Sequence, residues 1–162
     1  MQNHYERLGL PRRFSVDASH LEAAYLAASR LVHPDFHAAG AADIQLNAAA
    51  LNQAYTTLKD PIRRAEYWLT LHGGPTAQAE KQLDPTFLAA MMEFQEEIEE
   101  AATEAKRDEL RDRIRDSIQV EMTAVGALFA DVEPTADTLL AGRRRMNAVR
   151  TLSSLLRRLE AD

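Results

Sequence analysis

Ser29-Arg30-Leu31-Val32-His33-Pro34-Asp35-Phe36-His37 decides how this chain is read. Upstream, Leu21, Tyr25, Ala28 and Val32 recur at the spacing of one buried helical face. Proline then fixes φ and removes a backbone donor, so His33-Pro34-Asp35 must interrupt the helix. A second helical pattern runs from about Ala41 to Leu58, with Ile44, Ala48, Leu51, Tyr55 and Leu58 as its stripe. The fragment therefore reads as a helical hairpin whose connection presents an imidazole and a carboxylate. Such a connection suits recognition of another protein better than catalysis.

Outward from this hairpin the helical reading continues. A short first helix covers His4 to Leu8 and stops at Gly9-Leu10-Pro11. Ser15 or Asp17 caps the second helix. Pro61 occupies a favoured first-turn position of a helix from Ile62 to Leu71, which His72-Gly73-Gly74-Pro75 ends. Three longer patterns follow. Asp84-Pro85 caps a helix to about Ala105, a second covers Lys106 to Ala130, and a third covers Thr135 to Glu160. Phe87, Met91, Phe94 and Ile98 read as the core stripe of the first. β-Branched residues are sparse, and no alternating run is bounded by turns. The fold class expected is all-α: an N-terminal hairpin domain over 1–74, a linker over 75–83, and an antiparallel three-helix bundle over 84–162. Tyr67, Trp68 and Leu71 are candidates for packing across the junction, and an apolar junction would hold the two domains at a fixed angle.

Composition narrows the function classes. The 162 residues are 46% hydrophobic and 27% charged, with net charge −6 and no cysteine. The deficit of positive charge argues against nucleic-acid binding, which depends on phosphate neutralisation. Absence of cysteine excludes disulfides and thiolate metal sites and fits a reducing cytoplasm. No apolar run approaches the roughly 18 residues of a membrane span, and the N-terminus lacks the pattern of a signal peptide. Residues 1–74 carry seven basic and seven acidic side chains, whereas residues 75–162 carry twelve and eighteen, so the second half accounts for the whole net charge of −6.

His4-Tyr5-Glu6-Arg7-Leu8-Gly9-Leu10, His33-Pro34-Asp35 and Leu51-Asn52-Gln53-Ala54-Tyr55, in this order between helices of these lengths, resemble a J-domain. Ala65-Glu66-Tyr67-Trp68-Leu69-Thr70-Leu71-His72-Gly73, preceded by Pro61 and Arg64, is similar to the signature of HscB-type co-chaperones of iron–sulfur cluster assembly. The resemblance extends over nearly the whole chain. It implies docking on a DnaK-type, HscA-like chaperone and stimulation of its ATP hydrolysis through His33, Pro34 and Asp35, with Arg30 and Phe36 beside them. The hydrolytic machinery then belongs to the partner, and this chain is not itself an enzyme. J-domains commonly carry basic residues after the tripeptide and on the helix before it. Here Phe36 and His37 follow, and the preceding helix offers only Arg30 and His20. Arg63 and Arg64 lie elsewhere, so steering by charge is expected to be weak, with modest affinity or a compensating apolar contact through Phe36.

The same resemblance implies that the helix starting at Phe87 binds the IscU scaffold protein, through Leu88, Ala89, Met92, Glu93, Glu96 and Glu100. The family often has a larger apolar residue where Ala89 stands, and its aromatic contact on the last helix falls at Thr151. Without the resemblance, the glutamates of this helix read as a solvated face balanced by Arg143, Arg144, Arg145, Arg157 and Arg158.

Other classes fit less well. His33, Asp35 and His37 could gather a metal or act as acid–base groups, but no fourth ligand, nucleophile motif or phosphate loop accompanies them. No cofactor or resident metal is expected. A J-domain co-chaperone with another client, or a helical interaction adaptor, remains the alternative.

Overall fold

The computed structural model describes residues 2–31 and 41–161. Among them are α1 (His4–Arg7), α2 (Ala18–Leu31), α3 (Ala41–Lys59), α4 (Pro61–Leu71), α5 (Pro85–Glu100), α6 (Glu104–Leu128) and α7 (Ala136–Ala161), with no strand. The all-α class read from the sequence is the one observed.

Local chemistry sets most boundaries. Asn3 and Glu6 form a reciprocal capping box at α1. Asp17, not Ser15, caps α2, its Oδ1 accepting from the His20 amide at 2.8 Å. Asp60 accepts from the Ile62 and Arg63 amides, each at 2.9 Å, and Pro61 follows as the first residue of α4. Gly73 then adopts φ +69°, a left-handed conformation that ends α4 at low steric cost. The amide of Gly74 closes the turn onto the Leu69 carbonyl at 2.8 Å.

The boundary that departs furthest from expectation is the end of α5. α5 ends at Glu100 and does not reach Ala105. Glu96, Glu97, Glu99 and Glu100 place negative charge at the helix end where the macrodipole is already negative. Thr103 meanwhile caps α6 by accepting from the Lys106 amide at 3.3 Å. Ala101, buried in the turn, joins the core below it.

Two apolar cores result. The smaller packs Met91 and Phe94 of α5 against Leu110 and Ile114 of α6 and Leu152, Leu155 and Leu159 of α7. The larger runs across the junction. It gathers Tyr5, Leu21, Leu58, Trp68 and Leu69 with Val125, Phe129, Leu139, Met146 and Val149 of the α6–α7 hairpin. Trp68 has no exposed surface. Its ring meets Tyr5 edge-on at 6.1 Å and Phe14 at 6.0 Å, and lies 6.4 Å from Phe129. Trp68 therefore bridges the junction. Tyr67 instead stacks on His4 at 4.1 Å, and its hydroxyl accepts from the His4 amide at 2.9 Å.

Polar contacts reinforce the junction. Arg143 of α7 is buried and holds Glu66 of α4 with two hydrogen bonds of 2.6 and 2.7 Å. Asn147 donates to the carbonyl of Glu80 at 2.9 Å, strapping the 75–83 segment onto α7. A junction this apolar and this closely bonded resists hinge motion.

Candidate functional site

Asp84 starts α5 from its N-cap, accepting from the Thr86 amide at 2.8 Å and from the Thr86 hydroxyl. These two bonds hold its carboxyl below the usual carboxylate range, the hydroxyl contributing most. From that fixed start the 3.6-residue period sorts the helix. Met91 and Phe94 point into the core, with Phe87 and Ile98 packed beside them. Leu88, Ala89, Met92, Glu93, Glu96 and Glu100 all lie on the exposed side. Leu88 is 46% exposed and Met92 63% exposed, so two large apolar side chains stand in water one turn apart.

The carboxylates of this helix divide into two sets. Glu97 turns to the flank and pairs with Arg113 of α6 through bonds of 2.6 and 3.0 Å. The hydrogen bond from Arg113 is the main reason the Glu97 carboxyl lies below its ordinary range. Arg113 also covers the Phe94 ring at 5.2 Å. Among the described residues, Glu93, Glu96, Glu99 and Glu100 form no ion pair. The arginines expected to balance them face elsewhere: Arg143 meets Glu66, Arg144 meets Glu80, and Arg145 meets Glu121. The balance inferred from sequence is therefore absent. The outward face of α5 combines an apolar patch with uncompensated negative charge, an arrangement that suits a partner with an apolar anchor pocket and basic groups around it.

Thr151 is half-buried on α7, and its hydroxyl donates to the Asn147 carbonyl at 3.0 Å. It supplies no aromatic face beside α5.

In the N-terminal half, the end of α2 presents Arg30 to solvent, and Leu31 is 69% exposed. His33, Pro34, Asp35 and Phe36 lie outside the described residues, as does His37. What braces the flanking helices is visible. Tyr25 and Tyr55 stack at 4.4 Å. The Tyr25 hydroxyl donates to Asn52 at 2.6 Å and the Tyr55 hydroxyl to Glu22 at 2.8 Å. Lys59 donates to the Tyr55 oxygen at 3.1 Å, which raises the lysine pKa. The tyrosine stack and the two tyrosine hydroxyl bonds tie α2 to α3. Among the described residues, no three His, Asp or Glu side chains gather as metal ligands. None of their helices is long and apolar enough to cross a membrane.

Comparison with known proteins adds to this geometry. The family model of the DnaJ domain matches residues 3–67, and the model described as the HSCB C-terminal oligomerisation domain matches residues 83–144. The co-chaperone protein HscB homolog of Chromobacterium violaceum is 43% identical over 102 residues, which are 60% of this chain and 58% of that protein. The homolog from Vibrio cholerae is 42% identical over 101 residues, 59% of each chain. These alignments span under two thirds of the curated relatives' length. Solved structures match over more. The chaperone HscB from Vibrio cholerae superposes with a TM-score of 0.74 at 30% identity, covering 99% of this chain and 96% of that one. The human co-chaperone protein HscB gives 0.81 at 25% identity, covering 99% and 82%. With both halves matched in order and the helical architecture shared from end to end, the chain belongs to the HscB family.

Proposed function

We propose that this protein is a co-chaperone of iron–sulfur cluster assembly that stimulates the ATPase of a DnaK-type, HscA-like chaperone and delivers an IscU-like scaffold to it. In this reading residues 1–74 engage the chaperone, residues 75–83 connect, residues 84–162 hold the client, and the protein acts in the cytoplasm. His33, Pro34 and Asp35, with Arg30 and Phe36, contact the chaperone. Leu88, Ala89, Met92, Glu93, Glu96 and Glu100 contact the scaffold.

The observation that carries the client half is the exposure of all six α5 residues on the side away from the core, Leu88 and Met92 among them. The chaperone half rests on the order of the sequence motifs and on the bracing of α2 against α3. Mechanistically the protein supplies no reacting group. A carboxylate such as Asp35 offers a charge-assisted bond to an arginine. Contacts that are stronger in the hydrolysis-competent state of the chaperone shift its equilibrium toward that state. The apolar, ion-paired junction lets a client on α5 arrive at a set distance from the J-domain.

Single-turnover ATP hydrolysis by the cognate chaperone tests the proposal, with this protein and the scaffold added separately and together. More-than-additive stimulation that vanishes in His33→Gln is expected. Stimulation indifferent to the scaffold would reassign the client, and no stimulation would leave a helical adaptor.

A further inference from the structure

One face of α7 runs through Arg143, Asn147, Arg150, Ser154, Arg157 and Arg158, which recur at three- and four-residue steps. The first half of this face is covered: Arg143 by Glu66 of α4, and Asn147 by the Glu80 carbonyl of the strap. Beyond Asn147, among the described residues, only Glu66 reaches it, at Arg150. Arg150, Ser154, Arg157 and Arg158 are exposed. Arg150 shares Glu66 with Arg143, pairing at 3.7 Å, and its side chain stays 58% exposed. Arg157 spends its donors on the Ser153 carbonyl and the Ser154 hydroxyl. Among the described residues, neither Arg157 nor Arg158 has a carboxylate partner.

The face continues onto the N-terminal half. Glu66 reaches both Arg143 and Arg150, and one turn before it on α4 stand Ile62 and Arg63, both exposed. Arg63 likewise has no carboxylate partner among the described residues. A ridge carrying Arg63, Arg150, Arg157 and Arg158 thus straddles the junction, in a chain whose net charge is −6. Meanwhile α2, the helix that leads to His33-Pro34-Asp35, offers only Arg30 and His20.

The geometry points to the α4–α7 ridge as a docking surface for an acidic protein surface, and, resting on the function proposed above, to the chaperone as the protein that carries it. Charge complementarity is the argument. Guanidiniums that outnumber their carboxylates on a rigid surface attract a negatively charged partner from a distance and orient it. They also bond carboxylates in pairs. The client is the poorer occupant, because the face assigned to it on α5 is acidic and calls for a basic partner. Nucleic acid is disfavoured by the overall negative charge. The ridge takes over the steering that α2 lacks, and because both halves build it, the chaperone reads the two halves together.

The test uses the full chain with the cognate chaperone and measures the protein concentration giving half-maximal stimulation of ATP hydrolysis. Arg150→Glu/Arg157→Glu/Arg158→Glu is expected to raise that concentration at least about tenfold at low salt. Arg63→Glu, on a separate helix, is expected to raise it about threefold. The wild-type value should climb with ionic strength, and the triple variant should lose that slope. Scaffold binding by calorimetry should not change, and circular dichroism melts should show both variants folded. His33→Gln separates the premises: if it leaves stimulation intact, the function proposed above fails. If His33→Gln abolishes stimulation while both charge reversals leave concentration and salt slope unchanged, the ridge is not the chaperone's dock. Reversals that weaken scaffold binding alone would also overturn the inference by moving the ridge to the client.

Discussion

Arg143 and Glu66, 77 residues apart, form a two-pronged ion pair in which the arginine is 2% exposed and the glutamate 36%. The asymmetry has a consequence for mutation. Glu66→Ala leaves a buried guanidinium without its carboxylate, whereas Arg143→Met leaves a carboxylate that water can reach. We expect Glu66→Ala to cost about 2–3 kcal/mol of unfolding free energy, below the full penalty for an orphaned buried charge because the site is partly wet. Arg143→Met should cost about 1 kcal/mol. Urea denaturation of the two variants checks the order, and equal losses would refute the asymmetry.

Gly142 precedes this arginine and is packed against the Phe129 ring, which a Cβ at position 142 would overlap. Gly142→Ala is expected to destabilise by about 1–3 kcal/mol through overpacking. Phe129→Leu, which opens space at the same point, should recover part of that loss. A thermal-melt double-mutant cycle with additive effects would show that the two residues do not share the strain.

Leu88→Ala with Met92→Ala removes the two exposed apolar side chains of α5. Because they are exposed, the stability change should stay within about 0.5 kcal/mol. Scaffold affinity should fall by about 2 kcal/mol, some thirtyfold, if they anchor the client. Calorimetry with an IscU-like scaffold reads the affinity, and unchanged binding would remove this face from the site.

Burial against Tyr67, with a lesser contribution from Arg7, lowers the pKa of His4. The folded state therefore binds fewer protons here than the unfolded chain does. Stability from this site is fully present above the unfolded value near 6.5 and is lost as pH falls through the depressed folded value. The melting temperature should drop between about pH 7.5 and 5, and His4→Phe, which keeps the stacking surface, should flatten that slope. An identical slope in the variant would assign the titration to another group.

Much of this was legible in the chain itself. Pro61 and Asp84-Pro85 announce two helix starts, and the 3.6-residue period of α5 separates Met91 and Phe94 from Leu88 and Met92. Local signals of this kind need no partner. The end of α5 is not legible locally, because Ala101, Ala102 and Ala105 favour a helix while the glutamates before them and the Thr103 cap favour a stop. Phe14 and Phe129 meet at 5.3 Å across more than a hundred residues, and no periodicity predicts such a pairing. For the same reason the arginines of α7 were matched to the wrong glutamates: composition reveals that charges balance but not which ones touch.

Trp68 is the sole tryptophan of the chain. It sits dry between Tyr5, Phe14 and Phe129, where the two halves meet. The molecule thus carries its own optical gauge. Any event that parts the halves wets the indole and shifts its emission to the red, whereas loosening confined to the far end of the bundle leaves the spectrum unmoved. Stopped-flow fluorescence during chaperone engagement would follow the junction in real time without a label.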